Sequence, residues 1–195
     1  MGKTVEFFFD IVSPASYLAW VQIPKLVEET SAEVIYRPVF LPGVFDKAGS
    51  SSPITVAAKG NWMFGDLQRH ARKYGVEFNM NSRFPLSSVY AMRGLNNYRE
   101  KSEILKLANG FFDAMWVHDQ DINDVAVVTQ VVSRAGIDPA EYQEKLSNPA
   151  NKQALVDITE EAVSRGMFGV PTFFVDQNMH WGQDRIDFVK EDLLA

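Results

Sequence analysis

Hydrophobic and polar positions in the first forty residues change their spacing twice. The mostly apolar run at residues 5–9 predicts a buried strand. From residue 14 to about 29, apolar side chains recur at roughly helical spacing, and Pro24 should kink or divide that helix because proline lacks a backbone N–H. Residues 34–40, rich in β-branched and aromatic side chains, predict a second strand. The chain therefore begins with a strand, a helix and a strand.

The middle of the chain has a different pattern. Residues 41–53 are rich in turn formers, so we expect a loop that leaves the sheet there. Helical spacing of apolar residues then predicts a series of helices and little else. The predicted helices span residues 61–74, 86–98, 101–118, 125–135, 139–146 and 151–165.

Strand signals return near the end of the chain. Residues 169–175 predict a strand, 176–178 a hairpin turn, 179–181 a return strand and 184–194 a closing helix. The order β-α-β, helical block, β-β-α predicts an α/β fold in which a thioredoxin-like sheet is interrupted by an all-helical insertion. We expect residues 1–45 and 166–195 to form the thioredoxin-like domain and residues 46–165 to form the insertion domain.

Composition narrows the function classes. With 195 residues and 46% hydrophobic content, the chain can bury a full core. Its formal net charge of −6 gives no basic field that would attract nucleic acid or an anionic membrane, so we expect neither as a partner. No apolar run approaches the roughly 18 residues of a membrane span, and the first strand begins too early for a signal peptide. We expect a soluble, cytoplasmic protein.

The sequence contains no cysteine, which excludes disulfides, thiolate nucleophiles of its own and cysteine-bound metals. Thiol chemistry would need a thiol from a bound molecule. The three histidines lack metal-ligand spacing, and the stretch beginning at Asp119 departs from the calcium-loop pattern, so we expect no metal site.

Ser13 and Pro14 stand between the first strand and the first helix. Serine is a favoured N-cap and proline a favoured first helical residue, so the pair has a purely structural interpretation. The alternative is functional, because a hydroxyl at the positive end of a helix can stabilise a bound thiolate. For Ser16, one turn further along, we expect a structural role.

Four stretches of the sequence occur in this order and span nearly the whole chain: Asp10-x-x-Ser13-Pro14-x-Ser16-Tyr17; Lys59 followed by Asp66-Leu67-Gln68-Arg69 and Tyr74-Gly75; Phe168-Gly169-Val170-Pro171-Thr172; and Trp181-Gly182-Gln183-Asp184-Arg185. Together they resemble the kappa-class glutathione transferases and, within them, the bacterial 2-hydroxychromene-2-carboxylate isomerases. The resemblance implies a thioredoxin domain interrupted by a helical domain and related to the DsbA-type oxidoreductases. The serine would occupy the place of their reactive cysteine.

The resemblance also implies that glutathione is the cofactor. Ser13 would hydrogen-bond the glutathione thiolate, and Lys59 would pair with a carboxylate of glutathione or of the substrate. Val170, before a cis Pro171, would bond the cysteinyl backbone. Without the resemblance, Lys59 would be interpreted as a solvated charge and residues 169–171 as the start of an edge strand.

At the other end of glutathione, the resemblance implies that Gln183 and Asp184 hold the γ-glutamyl group at a helix start. The alternative for Asp184 is a plain N-cap. Ser50 stands where kappa-class enzymes carry an asparagine, so its role stays open.

Three functions remain from the sequence. The first is a glutathione-dependent cis/trans isomerase that converts a small aromatic catabolite, of the 2-hydroxychromene-2-carboxylate type, into a trans-o-hydroxybenzylidenepyruvate through transient thiolate addition. The second is a kappa-type transferase that conjugates electrophiles, and the third is a non-catalytic glutathione-binding protein. The resemblance implies a homodimer. Trp62, Phe64, Trp116 and Trp181 are typical of a core, although an aromatic substrate would favour some of them at a pocket mouth.

Overall fold

A computed structural model describes residues 3–99 and 102–195. Within these residues, four strands form one mixed sheet in the order β2-β1-β3-β4. The strands are β1 (Thr4–Phe9), β2 (Glu33–Pro38), β3 (Thr172–Val175) and β4 (Asn178–Trp181). β1 pairs parallel with β2 and antiparallel with β3, and β3 pairs antiparallel with β4. The sheet therefore joins the two ends of the chain, which confirms the predicted thioredoxin-like α/β fold.

β1 lies inside the sheet and is covered on both faces. Phe7, Phe8 and Phe9 are all fully buried, although neighbouring residues of a strand point to opposite faces. The Phe7 ring stacks on Phe9 at 5.2 Å between centroids and on Phe173 of β3 at 4.9 Å. A continuous apolar run, rather than an alternating one, is what a strand with two buried faces requires.

Pro24 divides the first predicted helix, as the sequence predicts. α1 (Pro14–Trp20) and α2 (Ile23–Thr30) are separate, and Pro24 lies in the first turn of α2, where its missing N–H costs no intrahelical bond. The later helices lie close to their predicted positions. They are α4 (Ala57–Tyr74), α5 (Val89–Asn97), α6 (Glu103–Trp116), α7 (Val125–Arg134), α8 (Pro139–Ser147), α9 (Pro149–Ser164) and α10 (Ile186–Leu194).

The loop predicted for residues 41–53 is wrong in its first half, which forms helix α3 (Leu41–Ala48). Pro42 lies in the first turn, where a helix accepts proline, and Gly49 ends the helix in the left-handed conformation at φ +62°. Val44 is fully buried and anchors α3 to the core. Turn formers at helix-compatible positions explain the error.

Helices and sheet share one hydrophobic core. Trp116 of α6 is fully buried, as expected of a core residue, and its Nε1 donates to the carbonyl of Ile11 at 2.8 Å. The predicted boundary at residue 45 falls inside α3, whereas the boundary at 165/166 follows α9 directly. The division into two domains stays a prediction. Among the described helices, none has the length and apolar character needed to cross a membrane.

The contact between α5 and α8 depends on Gly94. A Cβ at this position would lie 1.8 Å from Tyr142 Oη and 2.4 Å from Cζ, and Tyr142 is too deeply buried to move aside. We expect Gly94→Ala to lower the free energy of unfolding by about 1–3 kcal/mol, as overpacking does. In α4, Gly65→Ala meets no atom within 4 Å and should stabilise by about 0.5–1 kcal/mol. Urea denaturation measures both, and wild-type stability of Gly94→Ala would contradict this packing.

Candidate active site

A cavity of about 1100 Å³ opens beyond the carboxyl end of β1. Seven segments line it: the β1–α1 loop, α3, residues 50–54, α4, residues 84–86, residues 168–171 and residues 181–185. All six residues for which the sequence predicts a site role lie in this lining, and so does Ser50. They are Ser13, Lys59, Val170, Pro171, Gln183 and Asp184. The fold thus brings residues that are up to 171 positions apart in the sequence into one cavity.

Ser13 caps α1 and also faces the cavity. Its Oγ accepts the backbone N–H of Ser16 at 3.1 Å, so the structural interpretation is correct. A hydroxyl that accepts one hydrogen bond keeps its own proton to donate, and an anion in the cavity can receive it. Because α1 is only seven residues long, it sums fewer peptide dipoles than the longer predicted helix would. The hydroxyl itself therefore carries much of the expected anion stabilisation.

Asp10 directly follows β1 and has a fully buried carboxylate. Its oxygens accept the N–H of Val12 at 3.0 Å, the N–H of Leu41 at 2.8 Å and the hydroxyl of Ser88 at 3.0 Å. Desolvation by burial raises the pKa of Asp10 from 3.8 to about 6, although these three hydrogen bonds oppose the shift. Asp10 belongs to the first of the four stretches that carry the resemblance, but no role was predicted for it from the sequence. The available signal was an acidic residue directly after an apolar strand.

The Val170–Pro171 peptide is cis, as the resemblance implies. The carbonyl oxygen of Pro171 accepts the N–H of Gly182 at 3.0 Å, and Thr172 Oγ1 donates to the carbonyl of Gly169 at 2.7 Å. These bonds fix residues 169–171 beside residues 181–182. Both Val170 and Pro171 are buried and form one wall of the cavity.

The segment from Gly182 to Arg185 lies outside regular structure. Gly182 adopts φ +119°, where an added Cβ would lie 2.6 Å from Asp184 Oδ1, so the turn requires glycine. The carbonyl of Gln183 accepts Gln22 Nε2 at 3.1 Å. Arg185, not Asp184, is the N-cap of α10, so the predicted helix start at residue 184 and the cap interpretation of Asp184 are both wrong. The Asp184 carboxylate instead lies in the cavity lining, 3.5 Å from Arg185 Nη2.

Lys59 projects from α4 as an exposed cation of the cavity. Among residues 3–99 and 102–195, it forms neither an ion pair nor a side-chain hydrogen bond, so its ammonium is available to a bound anion. Asp66, on the next turns of the same helix, lines the cavity too, but it pairs with Arg69 at 3.4 Å. Arg185 also lines the cavity, but it lies 3.5 Å from the Asp184 carboxylate, so Lys59 is the lining cation better placed for a bound carboxylate.

Aromatic side chains form the mouth of the cavity. Trp62 is 65% exposed and Trp181 is 49% exposed, so for these two the expectation of a core position is wrong. Trp181 meets Phe168 edge to face at 4.9 Å between centroids. Phe64 is partly buried and packs edge to face on Phe84, which itself lines the cavity. Large exposed rings at a cavity mouth suit a flat apolar ligand.

Two walls of the cavity were not predicted from the sequence. Leu41, Pro42 and Phe45 belong to α3, which was expected to be loop. Residues 84–86, with a cis peptide at Phe84–Pro85, precede α5, which begins later than the sequence predicts. In the described part of the chain, no group of three or more acidic or histidine side chains is placed to hold a metal ion.

Fold and cavity define a thioredoxin-type protein with a serine at the start of its first helix. The family model for the DSBA-like thioredoxin domain matches residues 4–194, and the chain belongs to this family. It is 32% identical to a 2-hydroxychromene-2-carboxylate isomerase of Sphingobium xenophagum over the whole of both chains. It is 26% identical to human glutathione S-transferase kappa 1, covering 97% of this chain and 90% of that one. A solved structure of a 2-hydroxychromene-2-carboxylate isomerase superposes with a TM-score of 0.88 at 27% identity, covering 96% and 93% of the two chains.

The raised pKa of Asp10 makes stability depend on pH. The folded state binds the Asp10 proton more tightly than the unfolded state does, so this stabilisation is complete below about pH 3.8 and is lost as pH rises through about 6. We expect the stability advantage of wild type over Asp10→Asn to shrink by up to about 3 kcal/mol between pH 4 and pH 7, at ~1.4 kcal/mol per pKa unit. Urea denaturation at both pH values measures the difference, and a constant difference would contradict the raised pKa.

Proposed function

We propose that this protein is a glutathione-dependent isomerase of a small aromatic catabolite. The reaction is the cis/trans conversion of a 2-hydroxychromene-2-carboxylate into a trans-o-hydroxybenzylidenepyruvate. One observation carries the proposal: the Ser13 hydroxyl, whose proton has no acceptor among the described residues, shares a cavity with Lys59, which forms no ion pair with any of them. The relative from Sphingobium xenophagum, aligned over its full length, is named as a 2-hydroxychromene-2-carboxylate isomerase, which supports this substrate class.

The cavity residues fit glutathione group by group. The Ser13 hydroxyl suits the thiolate, Lys59 suits a carboxylate, and Asp184 suits the ammonium of the γ-glutamyl end. The backbone at Val170 runs along the same cavity, and Ser50 stands on the wall formed by residues 50–54. With about 1100 Å³, the cavity is at the upper end of ligand sites and has room for a second molecule.

When bound, glutathione supplies a sulfur nucleophile that can add to and leave a carbon–carbon double bond, which frees rotation about that bond in between. The Ser13 hydroxyl would donate a hydrogen bond to the sulfur and so stabilise its anionic form, without transferring the proton. Lys59 holds the substrate carboxylate or the negative charge that builds on the carbonyl oxygen, where a fixed cation acts most strongly in the transition state. Trp62 and the Phe168–Trp181 pair cover the aromatic ring and limit the access of water.

A second candidate is a kappa-type transferase that conjugates glutathione to an electrophile. The similarity to human glutathione S-transferase kappa 1 favours it, and the same Ser13 chemistry would serve it. The two reactions differ in whether glutathione leaves with the product. A non-catalytic glutathione-binding protein is the third. The homodimer and the cytoplasmic location stay predictions.

The role of Ser13 can be tested on the bound cofactor. A single hydrogen bond to a charged group contributes about 1.5–3 kcal/mol, and one pKa unit corresponds to ~1.4 kcal/mol. We therefore expect Ser13→Ala to raise the thiol pKa of bound glutathione by about one to two units. The ultraviolet absorbance of the thiolate, followed against pH, measures it. An unchanged titration would remove Ser13 from the mechanism.

Turnover with limiting glutathione separates the three functions. The protein is incubated with 2-hydroxychromene-2-carboxylate and with much less glutathione than substrate, while product absorbance and free thiol are followed. An isomerase should complete many turnovers per glutathione without loss of thiol, since the sulfur that adds also leaves. Loss of one thiol per product would indicate the transferase, and binding of glutathione without any reaction would indicate the binding protein.

A further inference from the structure

The Asp10 carboxylate lies at the junction of three walls of the cavity. Oδ1 accepts the N–H of Val12 in the β1–α1 loop at 3.0 Å. Oδ2 accepts the N–H of Leu41, the first residue of α3, at 2.8 Å, and the hydroxyl of Ser88, the N-cap of α5, at 3.0 Å. Because the side chain is fully buried, these donors replace the water that the carboxylate lost on folding.

Each of the three donors belongs to a segment that forms the cavity. Val12 and Leu41 are lining residues themselves. Ser88 follows Leu86, the last lining residue of the segment between α4 and α5, by two positions. One side chain therefore connects the serine-bearing loop, the α3 wall and the wall formed by residues 84–86.

The position of Ser13 depends directly on Asp10. The Ser13 N–H donates to the Asp10 carbonyl at 3.0 Å, and the carboxylate fixes the intervening Val12. Two further contacts hold the same loop at Ile11, whose N–H points to Met92 Sδ at 3.4 Å and whose carbonyl accepts Trp116 Nε1 at 2.8 Å. The backbone that presents the Ser13 hydroxyl is thus tied at every residue from 10 to 13.

We propose that Asp10 is a positioning residue of the reaction, whose carboxylate holds Ser13, α3 and the 84–88 segment in the arrangement that binds the glutathione thiolate. This inference rests on the proposed function. A carboxylate is required because all its partners are donors, two of them backbone N–H groups. An asparagine in either orientation would turn its NH₂ towards one of these N–H groups.

If Asp10 acted only through its charge, its removal would shift the thiol pKa of bound glutathione in the opposite direction. A buried negative charge near the cavity disfavours a second anion, so removing the charge alone would lower the thiol pKa of bound glutathione. Loss of the hydrogen bonds that the Asp10 carboxylate accepts would instead misplace the Ser13 hydroxyl and raise the thiol pKa. The direction of the shift in one variant therefore distinguishes the two roles.

The test compares wild type, Asp10→Asn, Ser88→Ala and the double variant by ultraviolet titration of bound glutathione and by calorimetry. We expect Asp10→Asn to raise the thiol pKa by about one unit and the dissociation constant about tenfold. Ser88→Ala should shift both in the same direction but less, because the carboxylate keeps its two backbone donors. The double variant should be no weaker than Asp10→Asn, since both changes break the same contact. A lowered pKa, or wild-type values in Asp10→Asn, would overturn the inference.

A control and a glutathione-independent measurement complete the design. Leu146→Ala removes buried apolar atoms from α8, which contributes no lining residue, and should lower stability without changing glutathione binding. Without ligand, Asp10→Asn should speed amide hydrogen exchange at Val12 and Leu41 about tenfold more than Leu146→Ala does. If wild type binds no glutathione, the proposed function fails, and the exchange rates still decide the role of Asp10. Equal exchange rates at Val12 and Leu41 in Asp10→Asn and Leu146→Ala would reject the positioning role of Asp10.

Discussion

The antiparallel pairing of β1 with β3 is the contact on which the rest of the molecule depends. It joins two segments separated by more than 150 residues of mostly helical chain. Closing such a long loop costs conformational entropy that grows only slowly with length, and the burial of both faces of β1 offsets it. The same pairing brings the loop after β1, with Ser13, beside the Val170–Pro171 peptide before β3. Without this pairing there is no cavity.

Burial of an ionisable group directly after β1 costs hydration free energy. β1 ends in three buried phenylalanines, and the next residue is Asp10, whose side chain has no access to water. Hydrogen-bond donors from three segments compensate for the lost hydration. The Asp10 carboxylate thereby connects the loop after β1 to the starts of α3 and α5. A buried charge is retained here because apolar packing cannot bind backbone N–H groups that would otherwise be unpaired.

Polar groups of the cavity are few and come from separate elements. Ser13 is fixed by its own helix, Lys59 forms no ion pair within residues 3–99 and 102–195, and Asp184 follows a turn that only glycine allows. The rest of the wall is largely apolar and aromatic, and the buried Ser13 hydroxyl acts where water competes weakly, whereas Lys59 and Asp184 are exposed. This division suits a reaction in which one anion must be stabilised and one ring must be held.

Local patterns determined the sequence of β-α-β, helical block and β-β-α along the chain, the break of the first helix near Pro24 and a serine at the start of α1, because these depend on neighbouring residues. The resemblance carried by four motifs added the candidate residues of the site. Local patterns failed at α3, where proline and glycine occupy positions that a helix accepts, and at Asp184, whose neighbour Arg185 is the cap. Only the tertiary structure decided that Trp62 and Trp181 stand at the cavity mouth while Trp116 is buried, and that Asp10 binds Leu41 and Ser88. Hydrophobic periodicity shows which residues avoid water, but not which distant donors will meet a buried carboxylate, because that depends on how the elements pack.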